Sequence, residues 1–79
     1  MTIKIDNPEI NQYKSKMKRI RVARGMTQTQ LSELSKVNVK SIAYYEQYPD
    51  RINKASVDTL LKICESLGCE LTDIIEIGG

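Results

Sequence analysis

The chain contains no histidine, tryptophan or phenylalanine, and only two cysteines, Cys64 and Cys69. Without histidine, the commonest general base and the commonest metal ligand are both missing. Two cysteines cannot close a zinc or haem site alone, so no metal and no other cofactor is expected. A secreted scaffold of this size would carry more cysteines, and neither a basic leader nor an apolar signal core precedes Asn7-Pro8, so a reduced, cytoplasmic setting is expected. No apolar run approaches the roughly 20 residues that a membrane span needs. None of the four glycines forms a phosphate-cradling loop, and neither a nucleophile with its base nor a paired-carboxylate site stands out. The chain does not read as an enzyme.

What remains is a length of 79 residues, 41% of them hydrophobic and 28% charged. That is room for one small domain whose core must come from Ile, Leu, Val, Met and four Tyr, a composition suited to packed helices. The net charge of +2 is unevenly spread: residues 1–54 sum to +6 and residues 55–79 to −4. A basic front and an acidic tail suit one surface for a polyanion and another kept away from it, although solvation alone also accommodates such an imbalance.

Helix signals follow one another along the chain. Asn7-Pro8-Glu9 opens a first helix, since Asn caps free amides, Pro tolerates the first position and Glu complements the dipole. Ile10, Tyr13, Met17, Ile20 and Arg24 recur at spacings of three and four, predicting a helix that ends at Gly25 and leaves residues 1–6 as an arm. Thr27-Gln28-Thr29-Gln30 forms a capping box, with Met26 and Leu31 as its hydrophobic staple. The second helix is short, because Ser35-Lys36-Val37-Asn38 brings weak helix formers and a new cap. Asn38 opens the third helix, with Val37 and Ile42 as staple, and Tyr48-Pro49 ends it. A polar loop to Ala55 is expected next. Ser56 caps a fourth helix with an apolar stripe of Val57, Leu60, Leu61, Cys64 and Leu67, stopped by Gly68. A last short helix, about Leu71 to Ile77, closes an all-α chain of five helices, with residues 7–79 forming a single domain.

Two short helices joined by a tight turn, the second opening with small and polar residues, form a helix-turn-helix. Leu31, Ser35, Val37, Ile42 and Tyr45 are its inward positions, and Ser32 is small where the two helices approach most closely. At these residues the chain resembles the Xre-type, lambda-repressor-like and phage Cro-like helix-turn-helix family. The resemblance covers about Met17 to Ile75. It is carried by the runs Arg21-x-x-Arg24-Gly25-Met26-Thr27-Gln28-x-x-Leu31, Val37-x-x-x-Ser41-Ile42-x-x-x-Glu46, and Thr59-Leu60-Leu61-Lys62-Ile63 to Leu67-Gly68. Two places depart from the family pattern. Lys36 stands where a turn Gly is usual, and a left-handed backbone there costs on the order of 1 kcal/mol. The segment 48–55 is longer than the common form and has Tyr48-Pro49 in place of the usual Gly.

The resemblance implies a compact five-helix DNA-binding domain that places its third helix in the major groove of a double-stranded operator, as a homodimeric prokaryotic or phage transcriptional regulator, repressor-like. Val39, Lys40, Ala43 and Tyr44 then face base edges: Lys40 suits guanine, Val39 and Ala43 suit a thymine methyl, and Tyr44 suits a sugar, a methyl or a phosphate. Gln28, Asn38, Ser41, Arg51, Asn53 and Lys54 fall where phosphates are contacted. Lys14, Lys16, Lys18 and Arg19 read as a solvated face of the first helix. Arg21 and Glu46 form a structural ion pair. Cys64 reads as a small buried hydrophobe. Leu71, Ile74, Ile75 and Ile77 are candidates for the dimer seam. The alternative reading is an antitoxin-type interaction module, which neutralises a toxin partner and autoregulates its promoter, with that apolar tail as its partner surface.

Overall fold

The computed structural model describes residues 12–76, and these fold as helices only. In chain order they are α1 (Lys16–Ala23), α2 (Gln28–Ser35), α3 (Val39–Gln47), a 3-10 helix (Pro49–Lys54), α4 (Val57–Leu67) and α5 (Leu71–Ile74). The expected opening at Asn7-Pro8-Glu9, Ile10, the arm and Ile77 lie outside the described residues.

The first helix does not run unbroken to Arg24. It begins at Lys16, where Ser15 takes an extended backbone and its hydroxyl accepts from the Lys18 amide at 3.0 Å. A local cap overrides the longer apolar periodicity here, because Ser15 satisfies an amide that a continuing helix would have bonded to backbone. Met17 and Ile20 enter the core as expected, whereas Arg24 lies exposed and sends its guanidinium across to the carbonyl of Leu67 at 2.9 Å. That bond satisfies an open carbonyl at the end of α4.

The capping box is present at both ends: the Gln30 amide donates to Thr27 Oγ1 at 3.0 Å, and the Thr27 amide donates to Gln30 Oε1 at 2.8 Å. At the other end of α2, Lys36 adopts φ +63°, ψ +21°, so the strained left-handed turn anticipated from the missing glycine is realised with a lysine. Two serines organise the turn. The hydroxyl of Ser32 donates to the Val37 carbonyl at 2.6 Å, and the hydroxyl of Ser35 accepts from the Val37 amide at 3.2 Å. Both backbone groups of Val37 are thus paired, which lets its side chain bury with Leu31 and Ile42.

Segment 48–55 is not a plain polar loop. Pro49 starts a 3-10 helix and Ile52 is driven fully into the core, so one apolar residue among polar neighbours anchors the whole connection. In α4 the apolar stripe also differs from the expected one. Leu60, Ile63, Cys64 and Leu67 are buried, whereas Val57 and Leu61 are 64% and 49% exposed. Sequence spacing admits two adjacent stripes on this helix, and packing against α2 and α5 selects the one containing Ile63.

α5 ends at Ile74 rather than continuing to Ile77, because Ile75 turns extended (φ −70°, ψ +132°). The reason lies in a clamp on the following residue. Glu76 Oε2 accepts from the Lys16 amide at 2.6 Å, while the Asn53 side chain bonds both backbone groups of Glu76, at 2.6 and 2.9 Å. Lys16 Nζ also donates to the carbonyls of Thr72 and Ile75, at 2.9 and 3.1 Å. Lys16 is therefore a structural tie between α1 and α5 instead of part of a solvated face. Arg19 is likewise engaged, with its Nε donating to the Tyr13 carbonyl, and the Lys18 ammonium lies 4.3 Å from the centre of the Tyr13 ring.

Candidate nucleic-acid interface

The candidate interface is built on a buried charged junction. Arg21 of α1 grips Glu46, on the last turn of α3, with two parallel bonds: Nε to Oε2 at 2.6 Å and Nη2 to Oε1 at 2.9 Å. Its remaining arm, Nη1, donates to the Met26 carbonyl at 2.7 Å. Glu46 Oε1 accepts a further bond from Gln28 Nε2 at 3.0 Å. One carboxylate therefore fastens α1, the start of α2 and the end of α3 into fixed relation. Both charges are nearly shielded from water, so the bidentate geometry and the additional bonds are what offset their desolvation. The ion pair read from the sequence is present, and Gln28 joins it.

That junction sets where the polar end of α2 points. The capping box leaves the amides of Gln28 and Thr29 without partners inside the helix, at the positive end of its dipole. Gln28, with one amide hydrogen held by Glu46, sits beside them.

α3 presents two different faces. Ile42 and Glu46 are buried, and Tyr45 packs against the core. On the opposite side, Val39 is 37% and Tyr44 46% exposed, Lys40 is exposed and Ala43 is half-buried. Asn38 Oδ1 accepts from the Lys40 amide at 2.7 Å, so it caps α3 as expected. Ser41 is half-buried, with its amide bonded to the Asn38 carbonyl. Arg51 and Lys54 are exposed at the end of the 3-10 helix. Among the described residues, the side chains of Lys40, Arg51 and Lys54 have no ion-pair or hydrogen-bonding partner.

Two groups of sequence-read residues are placed differently from the expectation. Both ends of the Asn53 amide bond to Glu76, so this exposed side chain ties the fold and keeps one Nδ2 hydrogen outside that clamp. In the tail, Ile74 is fully buried, which removes it from an exposed seam; Leu71, which packs against the core, and Ile75 are both half-buried. Lys16, Asn53 and Glu76 were missed as a unit, because residues 60 positions apart leave no local pattern that would pair them.

Cys64 is buried, as read from the sequence, and burial pushes its thiol above the ordinary range. Burial, followed by the neighbouring Cys64, pushes the Cys69 thiol up to about 12. Both stay protonated near neutral pH and are poor nucleophiles. Among the described residues there is no group of three or more acidic or cysteine side chains able to hold a metal ion, and no helix long and apolar enough to cross a membrane.

The arrangement defines a class of protein: a small helical domain whose third helix is capped, anchored on its inner face and exposed on its outer one. The helix-turn-helix family model matches residues 17–74, and the chain belongs to that family, in its Xre-type, lambda-repressor-like form. The family consists of DNA-binding transcription regulators. No curated protein and no solved structure matches the chain.

Proposed function

We propose that this chain is a sequence-specific double-stranded DNA-binding regulator, repressor-like, that inserts α3 into the major groove. The observation that carries the reading is the outer face of α3. Val39, Lys40, Ala43 and Tyr44 lie outside the inner face that Ile42 and the Arg21–Glu46 pair anchor, so the helix that carries them is held independently of whatever they meet. Lys40 reads base edges, Val39 and Ala43 meet thymine methyls, and Tyr44 lies against a sugar or methyl. Gln28 with the free amides of α2, Asn38, Ser41, Arg51 and Lys54 hold phosphates and set the register.

A single unit of this size reads few base pairs, so two copies on a two-fold operator are proposed, with reading helices about 34 Å apart. Leu71 and Ile75, both half-buried, are the remaining described members of the tail seam. The antitoxin reading finds less support, since Ile74 is fully in the core and Leu71 is half-covered by it, which shrinks the apolar tail that would meet a toxin. The test is selection of bound sequences from a random duplex pool. Enrichment of an inverted repeat with half-sites one helical turn apart is the expected result, and an unenriched pool would overturn the proposal.

A further inference from the structure

Tyr48 belongs neither to the core nor to the set of reading residues, yet both its backbone groups are bonded. Its amide donates to the Tyr44 carbonyl at 2.9 Å, which keeps it one helical turn above Tyr44 although α3 has ended. The following Pro49 excludes the helical region for Tyr48, and its backbone settles at φ −123°, ψ +78°. Its carbonyl then accepts from the Arg51 amide at 2.9 Å, which ties it to the 3-10 helix. Both backbone groups are pinned, so the ring is held on a rigid base.

Tyr48 is 48% exposed, and its ring lies against Tyr44, with centroids 5.4 Å apart and planes inclined at 56°. Tyr44 also meets Tyr45, at 6.0 Å and 60°. Tyr45 packs against the core. A continuous line of rings therefore runs from the core through Tyr45 to Tyr44 and ends on Tyr48, both contacts having the inclined geometry that aromatic pairs favour. Tyr44 touches two neighbouring rings before any partner arrives. An exposed side chain on a reading helix otherwise loses rotamer freedom when it binds, and confinement in advance removes that loss.

We propose that Tyr48 is a positioning residue for sequence readout: it holds the Tyr44 ring, against Tyr45, in the orientation presented to the groove. The proposal rests on α3 being the reading helix. It assigns Tyr48 no base of its own, and the ring, not the hydroxyl, does the holding. The hydroxyl accepts a long bond from Gln47 Nε2 at 3.4 Å that leaves both side chains in solvent.

The experiment measures affinity for the selected operator, for its single-base variants and for unrelated duplex, using Tyr44→Ala, Tyr48→Ala, Tyr48→Phe, the Tyr44→Ala/Tyr48→Ala double variant and Lys40→Ala. Tyr48→Gln replaces Tyr48→Ala if the latter fails to fold by circular dichroism. Tyr48→Ala is expected to relax discrimination by roughly two- to tenfold, at the same base pair that Tyr44→Ala relaxes. The double variant should be no worse than Tyr44→Ala alone, and Tyr48→Phe should match the parent chain. A uniform loss on all duplexes, a loss at a different base pair, additive losses in the double variant or no loss at all would each overturn the positioning role. If Lys40→Ala and Tyr44→Ala both retain full discrimination, the assignment of α3 as the reading helix falls and this role with it. If those two lose discrimination and Tyr48→Ala does not, only the role of Tyr48 falls.

Discussion

The two faces of α3 are built from the same nine-residue segment under opposite constraints. On the inner face, Ile42 is fully buried and Glu46 accepts from Arg21 and Gln28. On the outer face, Val39, Lys40 and Tyr44 are exposed and the Lys40 side chain bonds to nothing among the described residues. The difference separates two jobs within a few ångströms. Inner residues determine where the helix lies, and outer residues are free to vary with whatever the helix meets. A domain arranged in this way can change its partner without refolding.

Substitutions should respect that division, and each of the following is a way to break it. The largest effect is expected from Ile42→Ala, which removes buried apolar volume between α2 and α3 and should cost roughly 2–5 kcal/mol in chemical denaturation. A loss near zero would mean that the inner face is not the anchor. Arg21→Ala comes next. It leaves the buried Glu46 with only Gln28 as a partner, and a loss of about 3 kcal/mol is expected. An unchanged thermal midpoint would show that water already solvates the pair.

A smaller effect, of opposite sign, sharpens the comparison at the turn that joins α2 to α3. Lys36 holds a left-handed backbone at φ +63°, so Lys36→Gly should stabilise the domain by about 1 kcal/mol. Destabilisation there would mean that the lysine side chain contributes something its exposure does not suggest. The smallest effect on stability belongs to the outer face. Lys40→Ala should shift unfolding by less than about 0.5 kcal/mol, while discrimination at one base pair falls by roughly 1–3 kcal/mol. Titrations against operator and single-base variants measure the second quantity, and unaltered discrimination would sever the outer face of α3 from DNA reading.

Much of this fold was legible along the chain because its signals are local. Thr27 and Gln30 lie within one turn, as do Asn38 and Lys40, so caps are recognisable from a few adjacent residues. The turn between α2 and α3 and the stop at Gly68 were read on the same basis; Arg21 and Glu46, 25 positions apart, were paired instead through family resemblance. The outer positions of α3 follow from helical spacing once its inner face is known.

The sequence by itself determined α2, α3 and α4, their order, the helix-turn-helix they open and the charge asymmetry, since each depends on interactions within a few residues or on composition alone. Tertiary packing decided which of two apolar stripes of α4 turned inward, burying Ile63 and leaving Val57 and Leu61 outside. It also drew Ile52 into the core out of a polar stretch and ended α5 at Ile74 through the hold of Lys16 and Asn53 on Glu76. Those outcomes depend on contacts between residues far apart in the chain. Burial rewards whichever apolar group meets a complementary surface, and that surface exists only after the other helices have packed.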